Sequence, residues 1–420
     1  MEIRGLNKDN IIKLSGIKKE PKWVLDFRLD AYKSFKELEE PKFTIKDNID
    51  YDNLLLYKSD YKEEFDYSSI DSMELEGTLI QLESETIYKR YKDELDSKGV
   101  IFCSMEDAIK NHSDLVKKYL GSVIKSGEHR YTALNSALFS GGAFIYIPKG
   151  VKLDKPLQSY FRITTDNLGQ FERTLIIVEE GGEFTYIEGC TAKINFKESL
   201  HAANVEVILK KKAKCKFVTI QNWSLDVINM VTERSYLDED AEMLWVDGNL
   251  GSKVTYKYPS CILKGNNSNG SLISIAVSKD NMIQEGGSNM IHLGKNTKSK
   301  IVSKSISMGS GEANYRGHTI IKKEAINSRA YIKCDSLLLD KDSKSYSYPD
   351  NKVYNNSSSI YHEAKISAID VDKLFYLESK GINKEKAENL MIVGFLDVFK
   401  NELPMEYAVE LSRLIQDYFM

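Results

Sequence analysis

The chain has 420 residues, 42% of them hydrophobic, with 58 Lys or Arg against 62 Asp or Glu and a formal net charge of −4. This length predicts one large domain with attachments, or two to three domains, and the apolar content excludes a chain that is disordered throughout. The near balance of charges argues against a generally basic nucleic-acid-binding protein.

Five cysteines are scattered along the chain, and the closest pair, Cys190 and Cys215, stands 25 residues apart. Zinc ribbons and ferredoxin-type clusters need closely spaced pairs, so this spacing excludes them. A sparse, odd number of thiols fits a reducing compartment better than a disulfide framework. The first residues contain no apolar signal core, and no stretch approaches the roughly 18 apolar residues of a membrane span. We therefore expect a soluble protein of the cytoplasm.

Residues 1–125 are predicted to form a mostly helical region. Aromatic residues recur at helical spacing after Pro21, where a proline is tolerated: Trp23, Phe27, Tyr32 and Phe35. Ser104 precedes two acidic residues and is the expected N-cap of another helix.

Residues 126–362 read as a β-rich core. Short runs such as Phe144-Ile-Tyr-Ile and Thr174-Leu-Ile-Ile-Val begin roughly 8 to 20 residues apart, and glycine-containing turns separate them. This pattern leaves a sandwich, a propeller or a parallel β-solenoid. A propeller period of about 40 residues is missing, and Lys300-Ile-Val-Ser-Lys-Ser-Ile-Ser alternates simply between the two faces of a strand. We therefore predict a parallel β-helix, in a chain that is mainly β with flanking α.

Residues 363–420 regain helical periodicity in three stretches, Ala368 to Ser379, Lys384 to Phe399 and Met405 to Tyr418. The second stretch has a broad apolar face that includes Phe395. This face could pack on the end of the solenoid and cap it, or it could dock a partner.

Several catalytic motifs are missing. The chain has no G-x-x-x-x-G-K-[ST], and its nearest fragment, Gly265-Asn-Asn-Ser-Asn-Gly-Ser, lacks the phosphate-binding lysine. G-x-G-x-x-G, H-E-x-x-H and G-x-S-x-G are missing as well. We expect neither an ATPase nor a dinucleotide-binding enzyme.

Two cysteines stand out by their context. Cys190 follows a strand and Gly189, and Glu188 and His201 could tune its pKa; the alternative is a buried cysteine that only packs. Cys334 lies before an apolar run, where a core cysteine is common. A solenoid turn of roughly 20 to 30 residues would stack Cys334 with His362 and Glu363 into a mixed iron site.

Many blocks of the chain resemble the SufB/SufD family of the SUF iron–sulfur cluster assembly system. The most specific are Gly169-Gln-Phe-Glu-Arg-Thr-Leu-Ile, Glu188-Gly-Cys-Thr-Ala, Val218-Thr-Ile-Gln-Asn-Trp, Tyr256-Lys-Tyr-Pro-Ser-Cys-Ile-Leu-Lys-Gly, Met290-Ile-His-Leu-Gly-Lys-Asn-Thr-Lys-Ser and Cys334-Asp-Ser-Leu-Leu-Leu. The blocks around Cys190 and Cys334 look like the SufB branch of the family. The resemblance implies a right-handed parallel β-helix with helical N- and C-terminal regions.

The resemblance also implies partners. A SufB-type scaffold works with two copies of the ABC-type ATPase SufC, which dock on the C-terminal helical region, and with SufD. Its sulfur comes as persulfide from a cysteine desulfurase through a SufE- or SufU-type carrier.

Site residues are carried over from the same resemblance. Cys190 matches the sulfur acceptor, and Arg162, Gln221 and Trp223 match a sulfur-transfer path along the inside of the β-helix. Cys334, with His362 or Glu363, matches the site of a transient iron–sulfur cluster at a subunit interface, expected to be [4Fe–4S]. Reduced flavin is associated with some SUF complexes, although no residue here identifies a flavin site.

Two departures from the family pattern affect the predicted sulfur route, and a third removes a candidate carboxylate ligand of the cluster. Thr164 replaces an asparagine, Glu233 replaces a lysine assigned to sulfur transfer, and Tyr361 replaces a glutamate next to His362. A scaffold that works as a SufB homodimer with SufC alone is therefore an alternative to a complex with SufD. Two further hypotheses are a structural β-helix adaptor for an ATPase and a β-helical carbohydrate-active enzyme, although the latter usually carries a secretion signal.

Overall fold

The computed structural model describes residues 2–39, 49–59, 75, 77–82, 85–91, 93–192, 199–403, 408 and 413. Strands hold 48% of the chain and helices 21%. The strands are β1 (Glu2–Arg4), β2 (Leu55–Lys58), β3 (Gly77–Leu82), β4 (Glu85–Tyr91), β5 (Ile101–Ser104), β6 (Ala143–Ile147), β7 (Leu157–Ile163), β8 (Gly169–Val178), β9 (Glu183–Ala192), β10 (Ser199–Leu209), β11 (Lys214–Trp223), β12 (Val227–Leu237), β13 (Glu242–Gly251), β14 (Val254–Lys257), β15 (Ser260–Leu263), β16 (Asn269–Lys279), β17 (Ile283–His292), β18 (Lys298–Met308), β19 (Glu312–Ile321), β20 (Arg329–Leu338), β21 (Lys344–Val353) and β22 (Ser359–Ala368).

Most of these strands form two ten-stranded sheets that wind along one solenoid. Sheet I runs β21-β19-β17-β14-β12-β10-β8-β6-β5, with β15 beside β12 and β17, and sheet II runs β22-β20-β18-β16-β13-β11-β9-β7-β3-β4. Within each sheet the strands pair in parallel, except for β3 with β4 and β5 with β6. About eight turns each add one strand to both sheets. The predicted parallel β-helix is confirmed.

Side-chain alternation along each strand makes the interior. In β11, for example, Cys215 and Phe217 face inward into the main hydrophobic core, whereas Val218 belongs to a cluster on the outer face. The turns between strands use residues with left-handed backbone: Asn267, Asn296 and Asn327 have φ values of 60°, 58° and 59°. Asparagine tolerates this conformation, so the fragment Gly265-Asn-Asn-Ser-Asn-Gly-Ser serves as a corner of the solenoid.

One strand position in sheet I is broken. β14 ends at Lys257 and β15 begins at Ser260, with Pro259 between them. Proline has no backbone N–H to donate to a parallel neighbour, which accounts for the break. Lys257 therefore sits at the end of a strand, where it reaches into the interior.

The helices are α1 (Lys8–Ile17), α2 (Lys22–Glu37), α3 (Asp93–Ser97), α4 (Met105–Asn111), α5 (Ser113–Tyr119), α6 (Arg130–Leu138), α7 (Val371–Ser379), α8 (Lys384–Phe395) and α9 (Asp397–Lys400). The predicted helix after Pro21 is present as α2, and Ser104 caps α4 by accepting a hydrogen bond from the N–H of Asp107 at 3.2 Å. Short strands β1 to β5 accompany the helices before residue 125. Their few residues offer little alternation to detect from sequence.

Buried ionic groups fasten the N-terminal region to the outer face of sheet I. The Glu206 carboxylate of β10 accepts hydrogen bonds from the N–H groups of Gly121, Val123 and Ile124 at 2.8 to 2.9 Å. Arg173 of β8 donates to the same carboxylate at 2.5 Å. Four donors therefore satisfy the hydrogen-bonding capacity of this buried carboxylate.

The C-terminal helices pack against the outer face of sheet II. Ile392, Leu396 and Phe399 are buried in one cluster with residues of that face, and a Cβ on Gly248 would lie only 3.0 Å from the Phe399 ring. Phe395 is half-buried, with the Lys304 ammonium 4.2 Å from its ring centroid. Of the two interpretations of this apolar face, the contacts therefore support packing on the solenoid. The predicted third helix, Met405 to Tyr418, lies almost entirely outside the described residues.

The boundaries predicted at 125/126 and 362/363 can be compared with the elements. β5 pairs with β6 at one edge of sheet I although it precedes residue 125, and β22 continues to Ala368.

None of the helices in the described residues is long and apolar enough to cross a membrane.

Candidate functional site

The two cysteines singled out in the sequence both face the interior from sheet II. In-register pairing forms one column of Glu188, Thr219, Asp247, Ser274, Ser303 and Cys334. A second column, two residues further along each strand, holds Cys190, Gln221, Asn249, Ala276, Ser305 and Ser336. Five inter-strand steps of about 4.8 Å separate the strands of Cys190 and Cys334, or roughly 24 Å.

Cys190 is fully buried in the interior. Its Sγ lies 4.0 Å from Glu188 Oε1, and Glu172 of β8 and His201 of β10 bring their ligand atoms within 4.8 Å of each other and of Sγ. Burial, together with the charges of Glu172 and Glu188, raises the pKa of the Cys190 thiol well above its ordinary value. The predicted neighbours Glu188 and His201 are both present, and Glu172 joins them.

The predicted path residues Gln221 and Trp223 lie beside this group. The ring of Trp223 lies 4.6 Å from that of His201, centroid to centroid. Gln221 is in register with Cys190, and its Oε1 accepts a hydrogen bond from Asn229 at 2.7 Å. Gln221 Nε2 and Trp223 Nε1 have no hydrogen-bond partner in the described part of the chain. These two donors are therefore available to a solute in the interior.

Arg162 is placed differently. Phe161 is the register partner of Cys190, and Arg162 pairs with Thr191. Because neighbouring residues of a strand point to opposite faces, the Arg162 side chain faces outward from sheet II, away from Cys190. The structure does not bring Arg162 into the interior with the other predicted path residues.

A lysine supplied by another strand stands near Glu233. The ammonium of Lys257 lies 2.6 Å from Asp247 and 3.2 Å from Glu233, and it donates to Thr219 at 2.6 Å. All three charged side chains are buried. One cation faces two carboxyl groups, and burial raises the pKa of Glu233 to about 7. The position where the family pattern has a lysine thus lies next to an ammonium from β14.

Cys334 occupies the other end of the same inner face. It is 5% exposed, and burial raises the pKa of its thiol to about 12. Cys334 lines a small cavity of about 20 Å³ together with Asp247, Asn249 and several small residues, among them Ser274, Ser303 and Ser305. A cavity of this size has room for about one water-sized atom.

His362 and Glu363 lie on β22, which pairs with the strand of Cys334, β20. The two side chains point in opposite directions. His362 is in register with Ile332 and shares its inward face with Cys334, roughly 7 to 8 Å away along the diagonal. Glu363 is in register with Lys333, faces outward and lies 3.6 Å from the Lys333 ammonium. Only His362 of the predicted pair therefore shares the face of Cys334. In the described residues these three side chains do not form a three-ligand cluster.

A second, larger cavity lies elsewhere. It has a volume of about 640 Å³ and opens beyond the outer face of sheet I, where Tyr256, Tyr258 and Arg316 line it. No cysteine borders it, and the sheet separates it from the interior. The chemistry of the thiols therefore belongs to the solenoid interior.

Comparison with protein families gives two adjoining matches. Residues 161–395 match the family described as "SUF system FeS cluster assembly, SufBD core domain". Residues 15–159 match the family described as "SufBD protein N-terminal region". The chain belongs to the SufBD family. The first SufBD match covers the strands that carry both Cys190 and Cys334.

Individual SufBD relatives match along almost the whole length. An iron–sulfur cluster assembly SufBD family protein of Staphylococcus epidermidis is 44% identical over 431 aligned positions, covering 98% of this chain and 93% of that protein. Proteins with the same description from Staphylococcus haemolyticus and Staphylococcus aureus are similar to the same extent. A general role in iron–sulfur cluster assembly follows from this membership.

Two interior residues were missed by reasoning from the sequence. Glu172 belongs to the block Gly169-Gln-Phe-Glu, which carried the resemblance but suggested no role, and Lys257 precedes a tyrosine and a proline. Neither lies near Cys190 in the sequence. Only the register of the solenoid brings them to the interior face.

Proposed function

We propose that this SufBD chain is a SufB-type scaffold that accepts sulfur on Cys190 and builds an iron–sulfur cluster on Cys334. The observation that carries this proposal is that both cysteines face the interior from one sheet, on neighbouring columns of in-register residues. The residues between them are polar or small, including Thr219, Asn249 and Ser303. A sulfur species could move there without meeting bulk water.

The first chemical step is an exchange of sulfur between two cysteines. The Cys190 thiol loses its proton, and its thiolate attacks the outer sulfur of a persulfide on the donor. The S–S bond of the donor breaks, the donor leaves as a thiolate, and Cys190 becomes the persulfide. Glu188, Glu172 and His201 all stand beside Cys190 as proton acceptors.

The second step needs two electrons. The outer persulfide sulfur is reduced to sulfide, which regenerates the Cys190 thiol, and the reductant is a thiol or a reduced flavin. Sulfide and ferrous iron then combine at Cys334, with His362 as an inward-facing imidazole on the neighbouring strand. Glu363 could bind iron beside Cys334 only after turning away from Lys333. We therefore favour His362 over Glu363 as the second iron ligand.

The cluster end of the chain is open to a partner. β21 and β22 are the last strands of the two sheets, and most of their residues are exposed. A cluster held by one cysteine and one histidine is incomplete, and a second subunit could supply the missing ligands. We propose SufD or a second copy of this chain for that position, and a [4Fe–4S] cluster as the product.

The remaining partners follow from the same proposal. An ABC-type ATPase, SufC, would supply the nucleotide hydrolysis for which this sequence has no motif, and a desulfurase with a SufE- or SufU-type carrier would supply persulfide. The chain itself is then a scaffold, not an enzyme. We place it in the cytoplasm, where five free cysteines remain reduced.

Two sulfur sources separate the roles of the two cysteines. The purified chain is reconstituted anaerobically with ferrous iron, and with either a cysteine desulfurase and its carrier or inorganic sulfide. Cys190→Ala should lose the visible cluster absorption only with the desulfurase, whereas Cys334→Ala should lose it with both sources. Cys215→Ala is the matched control, because it is another inward-facing buried cysteine.

Full cluster formation by Cys334→Ala would contradict the assignment of the cluster site. Full desulfurase-dependent formation by Cys190→Ala would contradict the assignment of the acceptor. Normal behaviour of both variants would favour a structural adaptor for an ATPase.

A further inference from the structure

Three metal-ligating side chains from three consecutive strands meet in the interior. Glu172 comes from β8, Cys190 from β9 and His201 from β10, and one ligand atom of each lies within 4.8 Å of the other two. All three side chains are buried, with exposures of 1%, 0% and 0%. The group therefore combines a carboxylate, a thiol and an imidazole in one water-poor space.

Two of these side chains lack partners for their polar atoms. In the described part of the chain, both carboxyl oxygens of Glu172 lack a hydrogen-bond partner, and so does Nε2 of His201. Their closest contact is 3.4 Å between Glu172 Oε2 and His201 Nε2. Buried polar groups are normally satisfied, so these atoms point to an occupant between them.

The imidazole is already oriented as a ligand. His201 Nδ1 donates to Asn229 Oδ1 at 2.8 Å, and the Asn229 amide donates in turn to Gln221 at 2.7 Å and to Thr255 at 3.3 Å. The proton on Nδ1 leaves the lone pair of Nε2 directed toward Glu172. A histidine that ligates a metal typically donates its other N–H in this way, which fixes the ring and its tautomer.

The spacing of the two ligand atoms of Glu172 and His201 fits a tetrahedral ion. Two ligands that each bond a tetrahedral metal at about 2.0 to 2.1 Å lie about 3.4 Å from one another, which matches the contact between Oε2 and Nε2. A mixed set of thiolate, imidazole and carboxylate favours zinc or iron over magnesium or calcium. Three protein ligands leave the fourth position open, as in metal sites that also bind a small ligand.

We propose that Glu172, Cys190 and His201 bind one divalent transition-metal ion, Zn²⁺ or Fe²⁺, in the interior of the solenoid. Binding replaces the thiol proton of Cys190 and any proton on Glu172, and the metal keeps its oxidation state. The site lies about five inter-strand steps from Cys334, so it is separate from the proposed cluster site. It does not depend on the proposed transfer of sulfur.

Cobalt provides the direct test, because a thiolate bound to Co²⁺ gives a charge-transfer absorption in the near ultraviolet. The full chain is stripped with a chelator and titrated anaerobically with Co²⁺, followed by Zn²⁺ or Fe²⁺ in separate competitions. We expect one equivalent of bound cobalt with this absorption, displaced by the ion that the site prefers. Cys190→Ala should lose the absorption, and Glu172→Gln and His201→Gln should weaken binding by at least about tenfold.

Matched controls show whether the effect is local. His292→Gln alters another buried histidine, whose two nitrogens are bonded to Thr297 and Ser299 at 2.8 and 2.9 Å. Cys215→Ala and Cys334→Ala each remove an inward-facing cysteine away from the group. All three should keep the cobalt absorption of the parent chain.

The proposal is overturned if the parent chain binds no cobalt through a thiolate, or if Glu172→Gln and His201→Gln both bind it as the parent does. A variant that fails to fold is recognised by circular dichroism, and the parent chain alone then decides. Added metal should also raise its unfolding temperature, since the ion binds only the folded state. Loss of sulfur transfer with an intact cobalt absorption would contradict the proposed function and leave this site standing.

Discussion

At the scale of single residues, a buried ion pair between Lys257 and Asp247, with Glu233 beside it, joins the two sheets in the interior. Lys257 is 1% exposed and lies between Asp247 and Glu233. The pair links β14 of sheet I to β13 of sheet II across the interior. Removal of one partner leaves a buried charge uncompensated, which costs more than the pair itself contributes.

Lys257→Met should therefore lower the free energy of unfolding by about 3 to 5 kcal/mol. Urea unfolding at pH 7 measures the change. Lys214→Met is the control, because Lys214 forms a half-exposed pair with Glu242 at 2.9 Å and should lose no more than about 1 kcal/mol. Equal, small losses in the two variants would show that removing Lys257 leaves no uncompensated charge in the interior.

Glu233 gives this cluster a pH dependence. Burial raises the pKa of Glu233 from 4.5 to about 7, so the folded chain keeps a proton that the unfolded chain has already lost between these values. The stability contributed by Glu233 is therefore full below pH 4.5 and is lost as the pH rises through about 7.

Glu233→Gln removes this titration, so the stability of the variant relative to the parent chain should rise between pH 5 and pH 8. Urea unfolding of both proteins at the two pH values tests this expectation. Glu242→Gln, which changes a half-exposed carboxylate, should show no comparable trend. A difference between Glu233→Gln and parent that is constant with pH, or that falls, would contradict the assignment.

At the scale of strands, sulfur that moves through the interior from Cys190 to Cys334 must pass the inner face of β16. Ser274 lies on the column that leads to Cys334, and its hydroxyl donates to Ser303 at 3.0 Å. Leucine at this position would fill the small cavity beside Cys334. Overpacking of this kind typically costs about 1 to 3 kcal/mol of stability, so the chain should still fold.

We expect Ser274→Leu to slow cluster formation with the desulfurase at least several-fold and to leave reconstitution with inorganic sulfide nearly unchanged. The rate of rise of the visible absorption measures both. Ser271→Leu on the same strand is the control, since Ser271 is three residues away and points to the opposite face from Ser274. Equal rates in Ser274→Leu and Ser271→Leu would argue against an interior route.

The strands and the helices differed in how well the sequence predicted them. Alternation in runs such as Lys300-Ile-Val-Ser indicated a solenoid, because one face of each strand packs in the interior and the other faces outward. The second C-terminal stretch was recognisable as amphipathic, but its partner was not, since periodicity does not say which surface covers an apolar face. The structure supplies that surface as Val218, Val246 and Ile275 of sheet II.

The candidate site was predictable only in part for a similar reason. Glu188 and Cys190 are two residues apart on one strand, so an inward-facing pair could be foreseen. His201 was also predicted as a neighbour of Cys190. Glu172 and Lys257 come from other strands and were not predicted, and a shift of register by one residue would turn each of them outward. Family resemblance placed Arg162 on the sulfur path, whereas its alternation with Phe161 turns it to the outer face.

At the scale of the whole molecule, the C-terminal helices divide their apolar residues between the solenoid and the outside. α8, α9 and the residue between them bury Ile392, Phe399 and Leu396. By contrast, α7 exposes Val371, Phe375 and Tyr376, with Phe375 71% exposed. Exposed aromatic side chains on a helix are typical of a docking surface. We propose α7 as the part of the C-terminal region that contacts the ATPase.

Phe375→Asp should reduce recovery of the ATPase with the tagged chain at least tenfold, because it places a charge in an apolar contact. Copurification from cells that express both proteins measures this. Leu225→Asp is the control, since Leu225 is 56% exposed on a turn of the solenoid. Normal recovery with Phe375→Asp would exclude α7 as the contact.

In the proposed function, sulfur moves from Cys190 to Cys334 without leaving the chain. The most direct measurement loads Cys190 with ³⁴S-labelled persulfide, removes the donor, and adds ferrous iron, a reductant and an excess of unlabelled sulfide. Mass spectrometry then gives the isotope content of the cluster that forms. Transfer through the interior predicts a cluster enriched in ³⁴S far above the bulk ratio, and a cluster with the bulk ratio of sulfide would contradict such transfer.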